Sequence, residues 1–168
     1  MKRAAVVSIL LILISTHAQA TLVQRLTLDE MIQKAQTIVQ GRVRSVNTHW
    51  SDNGKLILTS YTIDVEDAIK GQPGKTMEIT LVGGKIGNLI LYAAGMPAFD
   101  AGDQTVLFVE KSGAGISTIV GLSQGKFDIR NGEVANTVSE LSFPDGRAGV
   151  PTRMRLDDFK RQIKSRIR

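Results

Sequence analysis

The sequence predicts a mainly β protein of the α+β kind: an antiparallel OB-like β-barrel with a short N-terminal helix and an amphipathic C-terminal helix. Three observations carry that expectation. Apolar residues alternate with period two through six to eight short segments, the pattern of half-buried strands. Turns containing glycine separate the segments at short intervals, which favours a closed or nearly closed antiparallel barrel. Helical periodicity is confined to the regions near the two ends.

Ahead of these elements, Lys2 and Arg3 precede an apolar run over residues 4–14, and Ala18-Gln19-Ala20 is an A-x-A cleavage box. The pattern predicts a cleavable signal peptide over residues 1–20. A run of about eleven residues is too short for a hydrocarbon core that takes roughly 20. No later apolar segment is longer, so no transmembrane segment is predicted, and the absence of cysteine leaves no lipoprotein anchor. The expected location is secreted or periplasmic, with residues 21–168 forming a single domain.

Loss of residues 1–20 removes two cations, so Lys+Arg falls from 21 to 19 against 16 acidic residues and the net charge falls from +5 to +3. A domain of that size buries roughly two thirds of its unfolded surface and needs no disulfides, which accommodates an exported chain without cysteine.

Thr27 and Glu30 form a capping box, with Leu26 and Met31 as a hydrophobic staple, and predict a helix running to about Gln36. Val39, Gly41 and Val43 then fall on one strand face and Gln40, Arg42 and Arg44 on the other. Ser51-Asp52-Asn53-Gly54 is a turn, after which Tyr61, Ile63 and Val65 oppose Thr62, Asp64 and Glu66. Gly71-Gln72-Pro73-Gly74 turns into a strand over residues 76–82, and Gly83-Gly84 interrupts it before the apolar run 89–92. Strands over 105–110 and 116–122 follow, then a hairpin of 126–129 with 133–136 around Asn131-Gly132. Residues 143–150 read as an irregular connection. Leu156, Phe159, Ile163 and Ile167 make the stripe of a helix over 156–168, expected to dock on the barrel.

Scarcity of histidine and cysteine limits the chemistry. His17 lies within residues 1–20, so His49 is the one imidazole of the predicted mature chain. A zinc site draws three or four ligands from His, Cys and carboxylate, so neither a metal nor a cofactor is predicted. Gly121-Leu122-Ser123-Gln124-Gly125 matches G-x-S-x-G formally, but a hairpin follows it where a nucleophile elbow needs a helix, and His49 precedes the serine. Gly74-Lys75-Thr76 lacks the first P-loop glycine, since Ile69 stands there. Asp64, Glu66 and Asp67 read as a solvated strand face, and Asp100-Ala101-Gly102-Asp103 as a turn. Arg42 and Arg44 near Trp50 are a fair nucleic-acid footprint, yet export removes that partner, so no nucleic acid is predicted.

Three stretches carry a resemblance: A-x-x-I-V-x-G-x-V over residues 35–43, Tyr61-Thr62-Ile63-Asp64-Val65-Glu66-Asp67-Ala68-Ile69-Lys70-Gly71, and Phe99-x-x-Gly102-x-x-Thr105-Val106-Leu107-Phe108. Together they resemble a family of uncharacterised secreted bacterial proteins and, more remotely, the OB-type barrels of netrin-like modules and tissue inhibitors of metalloproteinases. The resemblance implies a five-stranded barrel and a protease-inhibitor-like role. Those inhibitors act through an N-terminal cysteine, whereas the predicted mature N terminus is Thr21 and the family's disulfides have no counterpart.

The first functional reading is an exported, non-enzymatic binding module whose partner is an unknown protein or an envelope surface. Residues 83–98 motivate it, because four glycines there frame more apolar side chains than a plain loop needs. Trp50, Tyr92 and Met96 are the candidate partner-binding residues. The second reading is a secreted hydrolase working with carboxylates alone, which requires two of them in one cleft. Intact-mass spectrometry of the exported protein should find Thr21 at its N terminus, and a retained Met1 end would defeat the signal-peptide reading.

Overall fold

The computed structural model describes residues 23–167, so the predicted signal peptide, the Thr21 terminus and Arg168 lie outside the described residues. The capping box forms as the sequence predicts. Thr27 Oγ1 accepts the Glu30 amide at 3.2 Å, the Glu30 carboxylate accepts the Thr27 amide at 2.7 Å, and α1 runs over Leu28–Lys34. It stops short of Gln36 because the Gln36 amide already donates to the Val109 carbonyl at 2.9 Å, which commits the chain to the sheet. Lys70 Nζ donates to the Ile32 and Ala35 carbonyls, both at 2.6 Å, and so satisfies and neutralises the C-terminal end of α1.

Strands β1 (Thr37–Trp50) and β2 (Ile57–Lys70) form a long antiparallel hairpin, and β3 (Thr76–Val82) pairs with the far edge of β2. The next two strands, β4 (Gly84–Ile86) and β5 (Leu89–Leu91), pair with each other and make a separate small hairpin. β6 (Gln104–Lys111) returns to pair with β1, and β7 (Ser117–Ile119), β8 (Lys126–Arg130) and β9 (Glu133–Ala135) complete the meander. Asn131 and Gly132 both adopt positive φ between β8 and β9, as a type I′ hairpin turn requires. A short edge strand, β10 (Arg153–Arg155), and α2 (Leu156–Arg166) end the described chain. The alternation of Arg153, Met154 and Arg155 is too brief to announce β10 in the sequence.

The sheet order is β10-β9-β8-β6-β1-β2-β3, with β7 also on β6. The fold is therefore mainly antiparallel β with two short helices, but the predicted closed barrel is not formed as a hydrogen-bonded ring among the described residues. The reason lies in the outer edge of β6, which is divided between β7 at residues 109–111 and β8 at residues 105–107. Only three-residue β7 is left to meet β3, and it packs beside that strand without a ladder.

β6 is buried on both faces, so its Val106-Leu107-Phe108-Val109 run is continuous where a half-exposed strand would alternate. Phe108 and Ile38 look toward Met31 and Ile32 of α1 and toward Phe159 and Ile163 of α2. Leu107 and Val39 look the other way, toward Tyr61, Ile63, Ile79 and Phe99. Phe159 is 0% exposed, with its ring centroid 4.5 Å from Phe127 and 6.1 Å from Phe108 in tilted arrangements. Polar contacts steer the same helix. Lys160 Nζ meets the Asp67 carboxylate at 2.6 Å and Gln40 Oε1 at 2.9 Å, and Arg166 meets Asp29 at 3.1 Å. The Lys160 hydrogen bond holds the Asp67 carboxyl below its usual value, so this contribution to stability is present at neutral pH and is lost as pH falls through the lowered value. No helix among the described residues is long and apolar enough to cross a membrane.

Replacing Phe159 with alanine should lower the unfolding free energy by roughly 3–5 kcal/mol, as expected for emptying a fully buried aromatic site. Equilibrium urea unfolding of the variant measures it, and an unchanged midpoint would contradict the docked helix.

Candidate functional site

The β4–β5 hairpin leaves the sheet where β3 ends. Its root is clasped by β2: the Gly83 amide donates to the Ile57 carbonyl at 2.9 Å, and Thr59 Oγ1 donates to the Gly83 carbonyl at 2.7 Å. Beyond the root, Leu89 is 57% exposed, Ile90 72% and Tyr92 71%, an apolar group with no covering element among the described residues. The run that could have been an ordinary buried strand thus stands in solvent.

Residues 92–98 pack back toward the body of the molecule. Ser123 N–H donates to the Gly95 carbonyl at 3.1 Å, and Gly95, at φ +76°, sits where a Cβ would fall 2.4 Å from Leu141 Cδ2. A side chain there would carry the left-handed backbone cost of about 1–2 kcal/mol and would also have to displace Leu141. The segment borders a cleft of about 330 Å³ lined by Tyr92, Met96, Pro97, Ser123, Lys126 and Glu140, among others. The structure therefore brings Tyr92 and Met96 together, with Met96 half-buried against the Tyr61 and Phe99 cluster. Trp50, 44% exposed, pairs with Ile57 at the far end of the β1–β2 hairpin and does not line this cleft.

Ser123 reaches the cleft by a local extrusion. β7 and β8 pair with one edge of β6 in registers that differ by five residues, and Val120 N–H bridges the gap by donating to the Phe108 carbonyl. The extra residues bulge outward as a 3-10 turn, Leu122–Gly125, behind positive φ at Gly121 and Leu122. Gln124 pins the bulge, accepting the Leu26 amide at 2.9 Å and donating to the Gln24 carbonyl at 3.0 Å. Ser123 is 9% exposed, and its Oγ is buried without a hydrogen-bond partner. A buried hydroxyl left unmated costs about 1–3 kcal/mol.

Charges in the cleft are unevenly matched. Lys126 Nζ pairs with Asp128 at 2.9 Å and lies 4.7 Å over the Phe99 ring. Glu140 is exposed, accepts the Tyr92 hydroxyl at 2.9 Å, and meets no cation among the described residues. That hydrogen bond, reinforced by the carboxylate charge, raises the Tyr92 phenol above its ordinary value.

In space, the side-chain partner of His49 is Ser60 and not Ser123. With the imidazole neutral, His49 Nδ1–H donates to the Trp50 carbonyl at 3.0 Å, Nε2 accepts Ser60 Oγ–H at 3.2 Å, and the Thr80 hydroxyl at 2.9 Å then donates to Ser60. This polarity matches a serine–base pair, but Ser60 lies on a strand laddered on both edges, by β1 and β3. Its backbone is committed to those ladders and offers little to a developing oxyanion. The chain of three side chains acts as a cross-strand clasp.

The carboxylates considered for hydrolysis are engaged by neighbours. Asp64 is paired with Arg44, and Glu66 lies 3.8 Å from Arg42 and accepts Gln40 at 3.0 Å, all on an open strand face. Asp100 and Asp103 close their own turn, Asp103 Oδ2 accepting the Asp100 amide at 2.9 Å. Among the described residues no three metal-ligating side chains converge. The grouping of Lys126 and Asp128 with Glu140 was not legible in the sequence because the cleft gathers them from separate segments with no common spacing. Comparison with protein-family models, curated proteins and solved structures finds no match.

Glu140→Gln should bring the Tyr92 phenol back toward its ordinary value. Tyr61 should stay raised, because burial is the first cause of its shift. Ultraviolet absorbance titration resolves the two tyrosines, and an unmoved curve would remove the Tyr92–Glu140 contact from solution.

Proposed function

We propose that the protein is an exported, non-enzymatic binding module that engages a partner protein through the β4–β5 hairpin. The observation that carries this reading is the exposure of Leu89, Ile90 and Tyr92 on one rooted hairpin. Apolar groups of this size cost free energy in water and become favourable contacts when a partner covers them. Export rests on the A-x-A box and the apolar run before it.

The scaffold is proposed to be a partly open OB-like barrel. Support comes from the order β3-β2-β1-β6-β7 with β7 beside β3, the cyclic order of a five-stranded barrel whose last seam is packed rather than hydrogen-bonded. A carboxylate hydrolase draws less support, because Asp64 and Glu66 are tied to arginines. Inhibition of a metalloprotease by an N-terminal cysteine has no residue to act with.

Affinity capture from the envelope and medium of the exporting cell tests the reading. A Leu89→Ser, Ile90→Ser double variant should lose the partner recovered by the wild-type protein while keeping its melting temperature, since both side chains are exposed. Recovery of the same partner by the double variant would overturn the hairpin as the binding element.

A further inference from the structure

Deepening that binding reading, on which it rests, we propose that the cleft beside the hairpin receives a basic side chain, lysine or arginine, from the partner protein. Three observations converge on this occupant. Tyr92, Met96 and Pro97 offer an apolar wall for an aliphatic stem. Lys126 is already neutralised by Asp128 at 2.9 Å, so the uncompensated charge of the cleft is the Glu140 carboxylate, whose one polar contact among the described residues is the neutral Tyr92 hydroxyl. Ser123 is among the residues bordering the same cleft, and its hydroxyl is buried beneath that surface without a partner.

The stem and the head group make different demands, and the cleft meets both. An ammonium carries three donors and a guanidinium five, with no acceptor on either. The exposed Glu140 carboxylate is therefore a suitable partner, and the Ser123 hydroxyl can accept a further bond only where the incoming head displaces the atoms that cover it. A carboxylate ligand would face Glu140 and Asp128 with its like charge and would have to displace Asp128 from Lys126. The site is also local in its preference: without residues 1–20 the chain still carries net charge +3, so diffuse attraction works against a cation. Binding of a cation here has to come from these residues.

The test uses three probes with one stem and different heads: n-pentylammonium, n-pentanol and n-pentanoate, each titrated into the protein and followed by amide chemical shifts. Pentylammonium should give saturable shifts confined to residues 92–98, 121–128 and 137–140, and should bind more tightly than pentanol by up to about fivefold, the reach of one exposed ion pair. Glu140→Gln should abolish that advantage while leaving the pentanol affinity unchanged. Ser123→Ala, which deletes an unpaired hydroxyl and leaves the fold intact, should weaken pentylammonium more than pentanol. Equal binding of pentanol, preference for pentanoate, shifts centred elsewhere or no saturable shift would each overturn the basic-side-chain site. The hairpin reading fails separately, through retention of the partner by the Leu89, Ile90 double variant.

Discussion

The packing of Phe159 against Phe127 and Phe108 is the contact on which the other layers depend. Phe108 belongs to β6, the strand whose two faces are both buried, and Phe127 to the strand laddered beside it. With α2 in place, one face of β6 is sealed by aromatic and aliphatic groups from both helices; the opposite face is sealed by the curl of β2 and β3 around Tyr61, Ile79 and Phe99. A strand covered on both sides has no solvent face to place polar residues on, which explains its unbroken apolar run. Dispersion and water exclusion act here on closely fitting surfaces, so the cost of a void at Phe159 falls on α1, α2 and the sheet together.

The failure of the sheet to close and the existence of the cleft have one origin. Two short strands, β7 and β8, share the edge of β6, and five residues between their registers have no place in the ladder. Those residues are expelled as the 3-10 turn that carries Ser123 and Gln124. On the other side of the cleft, the chain leaves β3 at Gly83, folds out as the β4–β5 hairpin and returns through Gly95 to meet that same turn. Breaks in regular hydrogen bonding release backbone and side chains from the core, which is why irregular segments carry recognition groups on a rigid scaffold.

Charge is distributed with the same division of labour. On the body of the protein, several acids are matched with bases: Asp64 with Arg44, Glu66 with Arg42, Asp67 with Lys160, Asp29 with Arg166. Such exposed pairs add little stability individually, but they fix the register of β1 on β2 and the seat of α2 on the sheet. Glu140, at the rim of the cleft, is held by a phenol and by no cation among the described residues.

Elements whose signal is local were legible in the sequence. The Thr27–Glu30 capping box, the Asn131-Gly132 turn, the alternation along β2 and the stripe of Phe159 and Ile163 each arise from residues a few positions apart, and each forms as read. The exposed group at Leu89, Ile90 and Tyr92 was visible as an apolar excess between glycines, although whether it would be buried was not, because exposure depends on what packs over it. Closure of the barrel, the brief β10, the serine partner of His49 and the meeting of Ser123 with Tyr92 and Glu140 depend on register and on contacts across many residues of separation. The sequence by itself determined the class of the fold, its two helices and the scarcity of reactive groups, since composition and short periodicities express the local preferences of the backbone. Only the tertiary structure decided where the sheet opens and which side chains share the cleft, because the five-residue mismatch along β6 exists only once β7 and β8 compete for the same edge.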